Sequence, residues 1–390
     1  MPAFDVDRID GPAHLADLDR GEFLRSLATA GAQVRRAATL AAESALPTAG
    51  RDERPRAVVV AAMGADDLVA DVAATLAAAS SPIGVTHARG GSLPGWVGPL
   101  DLVLAVSVSG SATGPVQLAD EAGRRGAMVV GVSAPASPLA YAVGRARGIH
   151  LPLEEGGRAS RTAAWSLVAT AVRTLEAFGV LAGPTTDLAA VADRLDEVAA
   201  ACRPSSESFV NPAKVLATDL AGRIPLILAD GALTGVAARR AGLMLARTAR
   251  TPALPGQLPD AAAALVACLD GPFAPPTADD GGHDIFTDPY LDTPSTHLAL
   301  LAVRDLLPAH PTPGDAARHN VAQGVLDLAE GRGVQVRELC PAADDAGPLV
   351  RLADLIAHID FAAAYLALGQ GLDPTTSPAV AALRIGTSPR

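Results

Sequence analysis

DLVLAVSVSGSATGPVQLADEAGR, residues Asp101–Arg124, is the stretch whose reading decides the fold. Asp101–Gly110 opens with an unbroken apolar run, Leu102–Val106, rich in valine, which reads as a strand buried on both faces. Thr113–Arg125 then reads as a helix. Between them, Ser107, Ser109, Ser111 and Thr113 place four hydroxyls around Gly110 within seven residues. A helix N-terminus presents free backbone N–H groups and the positive end of the helix dipole, and both favour a small anion. Capping of the helix by one Ser or Thr is the alternative. It accounts for one hydroxyl and leaves three.

The same alternation extends in both directions. Ala57–Gly64 (AVVVAAMG) reads as a buried strand and Asp66–Ala79 as a helix with acidic residues in its first turn. Ile83–His87 and Ala127–Ala134 read as strands, GIHLPL as an edge strand, and Arg161–Val180 as a long apolar helix. Repeated strand–helix–strand units mean a parallel sheet covered by helices. The first fifty residues read as helical. After a linking helix, Asp187–Cys202, and an exposed RPSSES, the pattern restarts. Ile224–Gly231, Ala264–Gly271, His297–Asp305 and Gly333–Leu339 read as strands, and Leu233–Ala249, a segment within Ala316–Glu330 and Leu349–Gly369 as helices. The reading is α/β, with an N-terminal helical segment (1–55), a first lobe (56–200) and a second (201–390), in the manner of an internal duplication.

Composition bounds the partners. The net charge of -11 lacks the basic face that nucleic acid or an anionic membrane requires. Aromatics make up 3%, so the cores must be built from Ala, Val and Leu. Three widely spaced cysteines, Cys202, Cys268 and Cys340, form no ligand cluster and read as thiols in a reducing compartment. The N-terminus lacks an apolar signal core, and no uninterrupted apolar run reaches the ~20 residues of a membrane span. The expectation is a cytoplasmic protein. No Walker loop, zinc motif or Ser–His–Asp signature is present, so no cofactor or metal is expected.

The serine loop and its surroundings resemble a known family. LAVSVSGSATGPVQLADEAGRRGAMVVGVSA is similar to the phosphate loop of a sugar isomerase (SIS) domain. RGGSLPGWVGPLDLVLAVS, SRTAAWSL, NPAKVLATDLAGRIPLIL, RTARTPALPGQLPD and YLALGQGLDPTTSPAVAALR resemble, in order and spacing, segments of the bifunctional phosphoglucose/phosphomannose isomerases across about residues 55–384. The resemblance implies two SIS-type (flavodoxin-like) α/β/α sandwich lobes in tandem and a sugar phosphate held by Ser107, Ser109, Gly110, Ser111, Thr113 and Arg161. It also implies a homodimer whose active sites are shared between chains.

The matched catalytic positions are altered. Moving a proton between adjacent sugar carbons requires a base, a group for ring opening and a cation. The family's glutamate falls on Arg247, its histidine on Ala263 and its C-terminal lysine on Arg384, so none of the three can exchange a proton at neutral pH. The glycine-rich first turn falls on Ala62–Asp67, which puts two carboxylates, Asp66 and Asp67, where a phosphate would approach. No histidine lies between His150 and His283. His283 beside Asp284, and His297, His310, His319 and His358, read as scattered and structural. Lys214, the single lysine, reads as a surface charge or a phosphate contact. Asp344 and Asp345 read as solvated, and Gly231–Gly235 as an ordinary turn. Three functions follow: a sugar-phosphate-binding protein with lost or reduced isomerase activity, an active aldose–ketose isomerase, and an interaction protein with an abandoned pocket.

Overall fold

The computed structural model describes residues 4–49, 54–153, 159–181, 185–275, 297–307, 310–342 and 346–387. The chain divides into two compact units. Arg25–Glu197 with Gly347–Val350 forms the first lobe, and Met1–Leu24, Val198–Ala346 and Arg351–Arg390 form the second. The N-terminal helices α1 (Asp7–Asp10) and α2 (Pro12–Leu18) thus group with the second lobe, and α3 (Phe23–Leu27) follows them.

In the first lobe, helices α4 (Ala30–Glu43) and α5 (Leu46–Ala49) precede five strands: β1 (Ala57–Ala61), β2 (Gly84–Ala88), β3 (Leu102–Ser107), β4 (Met128–Ser133) and β5 (Ile149–Pro152). All pair in parallel, in the order β2-β1-β3-β4-β5. This is the flavodoxin-like order, and β5 lies at the edge as expected. β1 and β3 carry the β-branched apolar runs and are central, where both faces must be covered. Helices α6 (Leu68–Ser80), α7 (Thr113–Arg124), α8 (Pro138–Arg145) and α9 (Ala164–Ala177) supply that cover, and α10 (Leu188–Ala201) follows them. On α7, Leu118, Ala119 and Ala122 are buried while Gln117 and Arg124 are exposed, which is the spacing of one helix face. Val59, Val103, Leu118, Leu139 and Val143 meet in one core cluster.

The second lobe has α11 (Pro212–Leu220), then a parallel sheet ordered β7-β6-β8-β9, formed by β6 (Ile224–Ala229), β7 (Leu254–Gln257), β8 (Leu298–Val303) and β9 (Gln335–Leu339). Helix α12 (Ala232–Met244) runs on into a π-helical turn, Leu245–Ala249. Helices α13 (Ala262–Cys268), α14 (Pro313–Gly331), α15 (Pro348–Gly369) and α16 (Pro378–Thr387) complete the lobe. α15 is long and apolar enough to cross a membrane by length and composition, yet its most apolar stretch is 94% buried, as a core helix requires.

The structure corrects the sequence reading in one element. Ala264–Gly271 was expected to be a strand, but Ala262–Cys268 is a helix, and the strand is the earlier Leu254–Gln257. The segment AAAALVAC is rich in alanine, the best helix former, and its short apolar run fits either element by periodicity. β7 carries Pro255, which is tolerated because β7 is an edge strand.

Candidate functional site

In the first sheet the strand order reverses between β1 and β3, so the loops leaving their carboxyl ends flank the crevice where open α/β sheets hold ligands. The serine loop is one of these two loops. Ser107 closes β3 and is buried. Gly110 adopts a left-handed conformation, φ 67°. Its N–H donates to Ser107 O at 3.0 Å, and its carbonyl accepts from Leu139 N–H at 2.9 Å. A Cβ here would stand 2.1 Å from Ser137 Oγ, so only glycine fits. Ser109 and Ser111 are exposed at the tip, with their hydroxyls 2.8 Å apart. The N-cap of α7 is Ala112, which offers no side-chain cap, so capping consumes none of the four hydroxyls. Thr113 is exposed in the first turn of α7.

A second layer props this loop. Ser137 contacts Ser133 Oγ at 2.9 Å, and Ser133 in turn contacts His150 Nε2 at 2.9 Å. Burial pushes the His150 pKa down, which favours the neutral ring. Arg161 is buried in a separate turn ahead of α9.

The loop after β1 answers the question posed by the paired aspartates. They diverge. Asp66 is 5% exposed, and its Oδ2 accepts the Val108 N–H at 3.3 Å. A native carboxylate therefore sits on the innermost donor of the serine loop. Asp67 turns toward the end of β2, where Arg89 Nε donates to its Oδ2 at 3.1 Å and His87 Nε2 lies 3.3 Å from its Oδ1.

In the second lobe, Arg247 lies partly buried in the π-helical turn, and its Nε is buried without a hydrogen-bond partner. Ala263 is exposed on α13, and Arg384 falls within α16. His283, Asp284, Asp344 and Asp345 lie outside the described residues. Lys214 is neither a surface charge nor a ligand contact. It is fully buried, and its ammonium donates to Asp10 Oδ1 at 2.8 Å, Pro204 O at 2.9 Å and Ser206 O at 2.7 Å. It also lies over the Tyr365 ring, 5.3 Å from the centroid. His358 pairs with Asp354 on its own helix, at 3.1 Å. His297 is partly buried and His310 exposed.

Gly231–Gly235, read from sequence as an ordinary turn, is instead the N-cap and first turn of α12, and its residues Gly231–Thr234 border a cavity of about 330 Å³. It lies at the carboxyl ends of β6 and β8, where the second sheet reverses its order. Asp230, Thr234, Asp305, Arg318, His319 and Arg351 supply its polar lining, and Leu233, Leu306 and Leu307 an apolar lip. Both Asp230 carboxylate oxygens accept the Asp305 N–H, at 3.1 and 3.2 Å, and the Thr234 hydroxyl donates to Oδ1 at 3.0 Å. Burial nonetheless pushes the Asp230 carboxyl above its ordinary range. The two crevices share a device: a buried aspartate from the first βα loop satisfies an early N–H after the neighbouring central strand. Sequence reasoning missed this cavity, whose walls come from four segments spread over the second lobe.

Comparison with known proteins places this architecture. Residues 209–385 match the family model described as bacterial phospho-glucose isomerase C-terminal SIS domain. A search of the curated proteins finds no match. Among solved structures, a hypothetical protein from Thermus thermophilus superimposes with a TM-score of 0.67 at 15% identity, over 99% of both chains. The C-terminal domain of glucosamine-fructose-6-phosphate aminotransferase from Francisella tularensis gives 0.57 at 12% identity, covering 91% of this chain and 98% of that one. A glucose-6-phosphate isomerase like protein, also from Thermus thermophilus, gives 0.54 at 19% identity, covering 98% and 99%. At these identities the likeness is one of fold. The chain thus consists of tandem SIS-like lobes, as the resemblance implied. Over residues 209–385 the second lobe is similar to a SIS domain of the bacterial phospho-glucose isomerase C-terminal type.

Proposed function

We propose that the serine loop of the first lobe binds the phosphate of a sugar phosphate and that the protein does not isomerise it. One observation carries the binding half. Gly110 keeps the left-handed turn that presents Ser109, Ser111 and Thr113, and no hydroxyl is spent on capping α7. With the Val108 N–H taken by Asp66, the anion is held on the outer half of the loop, by these hydroxyls and the first turn of α7. Arg161 is offered as a supporting cation. The second half rests on Arg247, Ala263 and Arg384, which the motif resemblance aligns with the family's proton-transfer positions and which carry no group able to do that work.

Thermal denaturation with glucose 6-phosphate, mannose 6-phosphate and fructose 6-phosphate tests the binding. A ligand at 100 times its Kd stabilises a protein by about 2.7 kcal/mol, so the midpoint should rise by several degrees. No rise with any of the three overturns the reading. A second reading, a crevice closed to anions, is favoured by Asp66 itself, whose carboxylate already occupies the inner donor. On that reading the wild-type protein binds none of the three phosphates, and the Asp66→Ser protein, with the inner donor freed, does.

A further inference from the structure

The cavity of the second lobe plays no part in the function proposed above. We propose that it binds a neutral, hydroxyl-rich ligand of about monosaccharide size, an unphosphorylated sugar or polyol. Its position is that of a ligand site, outside the carboxyl ends of two adjacent strands at a point of order reversal. Its volume of about 330 Å³ lies at the small end of the range for small-molecule pockets.

The charges select against a phosphate. Three carboxylates, Asp230, Asp305 and Asp315, face two guanidinium groups, Arg318 and Arg351. Each arginine is already matched. Arg351 Nε donates to Asp305 Oδ1 at 2.8 Å and its Nη2 to Oδ2 at 3.1 Å, while Arg318 pairs with Asp315. Arg304, behind the wall, is held by Glu338 at 2.8 Å, and its Nη2 lies 2.7 Å from His319 Nδ1. The N-terminus of α14 is also taken, because Thr312 and Asp315 close it in a reciprocal capping box. An incoming dianion would meet no uncompensated cation and would have to displace a native carboxylate.

Hydroxyls face no such barrier. The Arg351–Asp305 and Arg318–Asp315 pairs line the cavity, so donors and acceptors stand side by side, as neighbouring hydroxyls require. The lip adds the apolar half of a sugar site. Leu233, Leu306 and Leu307 border the cavity, and Leu307 is 44% exposed, an uncovered apolar surface suited to the C–H face of a sugar ring.

Saturation-transfer NMR on the full chain tests the proposal, with D-glucose, D-mannose, D-fructose, sorbitol and myo-inositol as neutral probes and glucose 6-phosphate as the charged one. Ala232 and Leu307 line the cavity and are exposed, so Ala232→Trp and Leu307→Trp should narrow the mouth and leave the fold intact, checked by circular dichroism melting. At least one neutral probe should receive saturation, and either tryptophan should weaken its binding at least fivefold. The proposal is overturned if no neutral probe receives saturation, if neither tryptophan weakens it, or if glucose 6-phosphate displaces the neutral probe. It does not depend on the serine loop: a protein that fails to bind hexose phosphates but binds a neutral probe here refutes the function proposed above and leaves this site standing.

Discussion

At the scale of single residues, Asp66 and Lys214 show how one buried side chain sets the hydrogen bonding around it. Asp66 sets a carboxyl group at the inner end of the serine loop, where it accepts the Val108 N–H. Two like unit charges about 4 Å apart repel by about 1 kcal/mol in water, and by more in a closed site. Asp66→Ser should therefore tighten hexose-phosphate binding by about fivefold or more, read by isothermal titration. Lys214 belongs to structure. Lys214→Met strips three acceptors of a buried ammonium and should lower stability by about 3 kcal/mol in urea unfolding. Burial pushes the Asp10 carboxyl up, but its hydrogen bonds from Lys214 and Ser208 outweigh this and hold the group below its ordinary value. The Asp10 contribution is therefore fully present above the unfolded carboxylate pKa of about 4 and is lost as pH falls through the lower folded value. In the Lys214→Met protein this acid-dependent loss should shrink.

At the scale of elements, the β3–α7 unit is the most exposed to test. A methyl at Gly110 meets both a left-handed φ and the Ser137 side chain, so Gly110→Ala should cost about 1–3 kcal/mol and abolish hexose-phosphate stabilisation together. Its unfolding midpoint, with and without glucose 6-phosphate, reads both effects. This unit was legible in the sequence because its determinants are contiguous: a five-residue apolar run, a glycine and four hydroxyls in one breath of chain. Elements with less local definition were not. The alanine-rich α13 read as a strand, and β7, short and bearing Pro255, was invisible as one. The divergence of Asp66 and Asp67 was equally hidden, since neighbouring residues in a 3₁₀ turn point to different partners that only the fold supplies.

At the scale of the whole molecule, the two parallel sheets were readable as a repeated alternation, and their tandem SIS-like character followed from motif order. The second-lobe cavity was not readable. Asp230, Asp305, Arg318 and Arg351 look like dispersed surface charges until β6, β8, α14 and α15 gather them. On the function proposed above, the molecule binds a sugar phosphate at the serine loop without isomerising it. Phosphorus-31 NMR of glucose 6-phosphate with the purified protein tests that central claim most directly, because one spectrum reports both binding and turnover. The account predicts a broadened or shifted phosphate resonance that Ser109→Ala/Ser111→Ala restores to its free position, with no fructose 6-phosphate signal growing in. An unperturbed resonance, or a fructose 6-phosphate signal that increases with time, would contradict it.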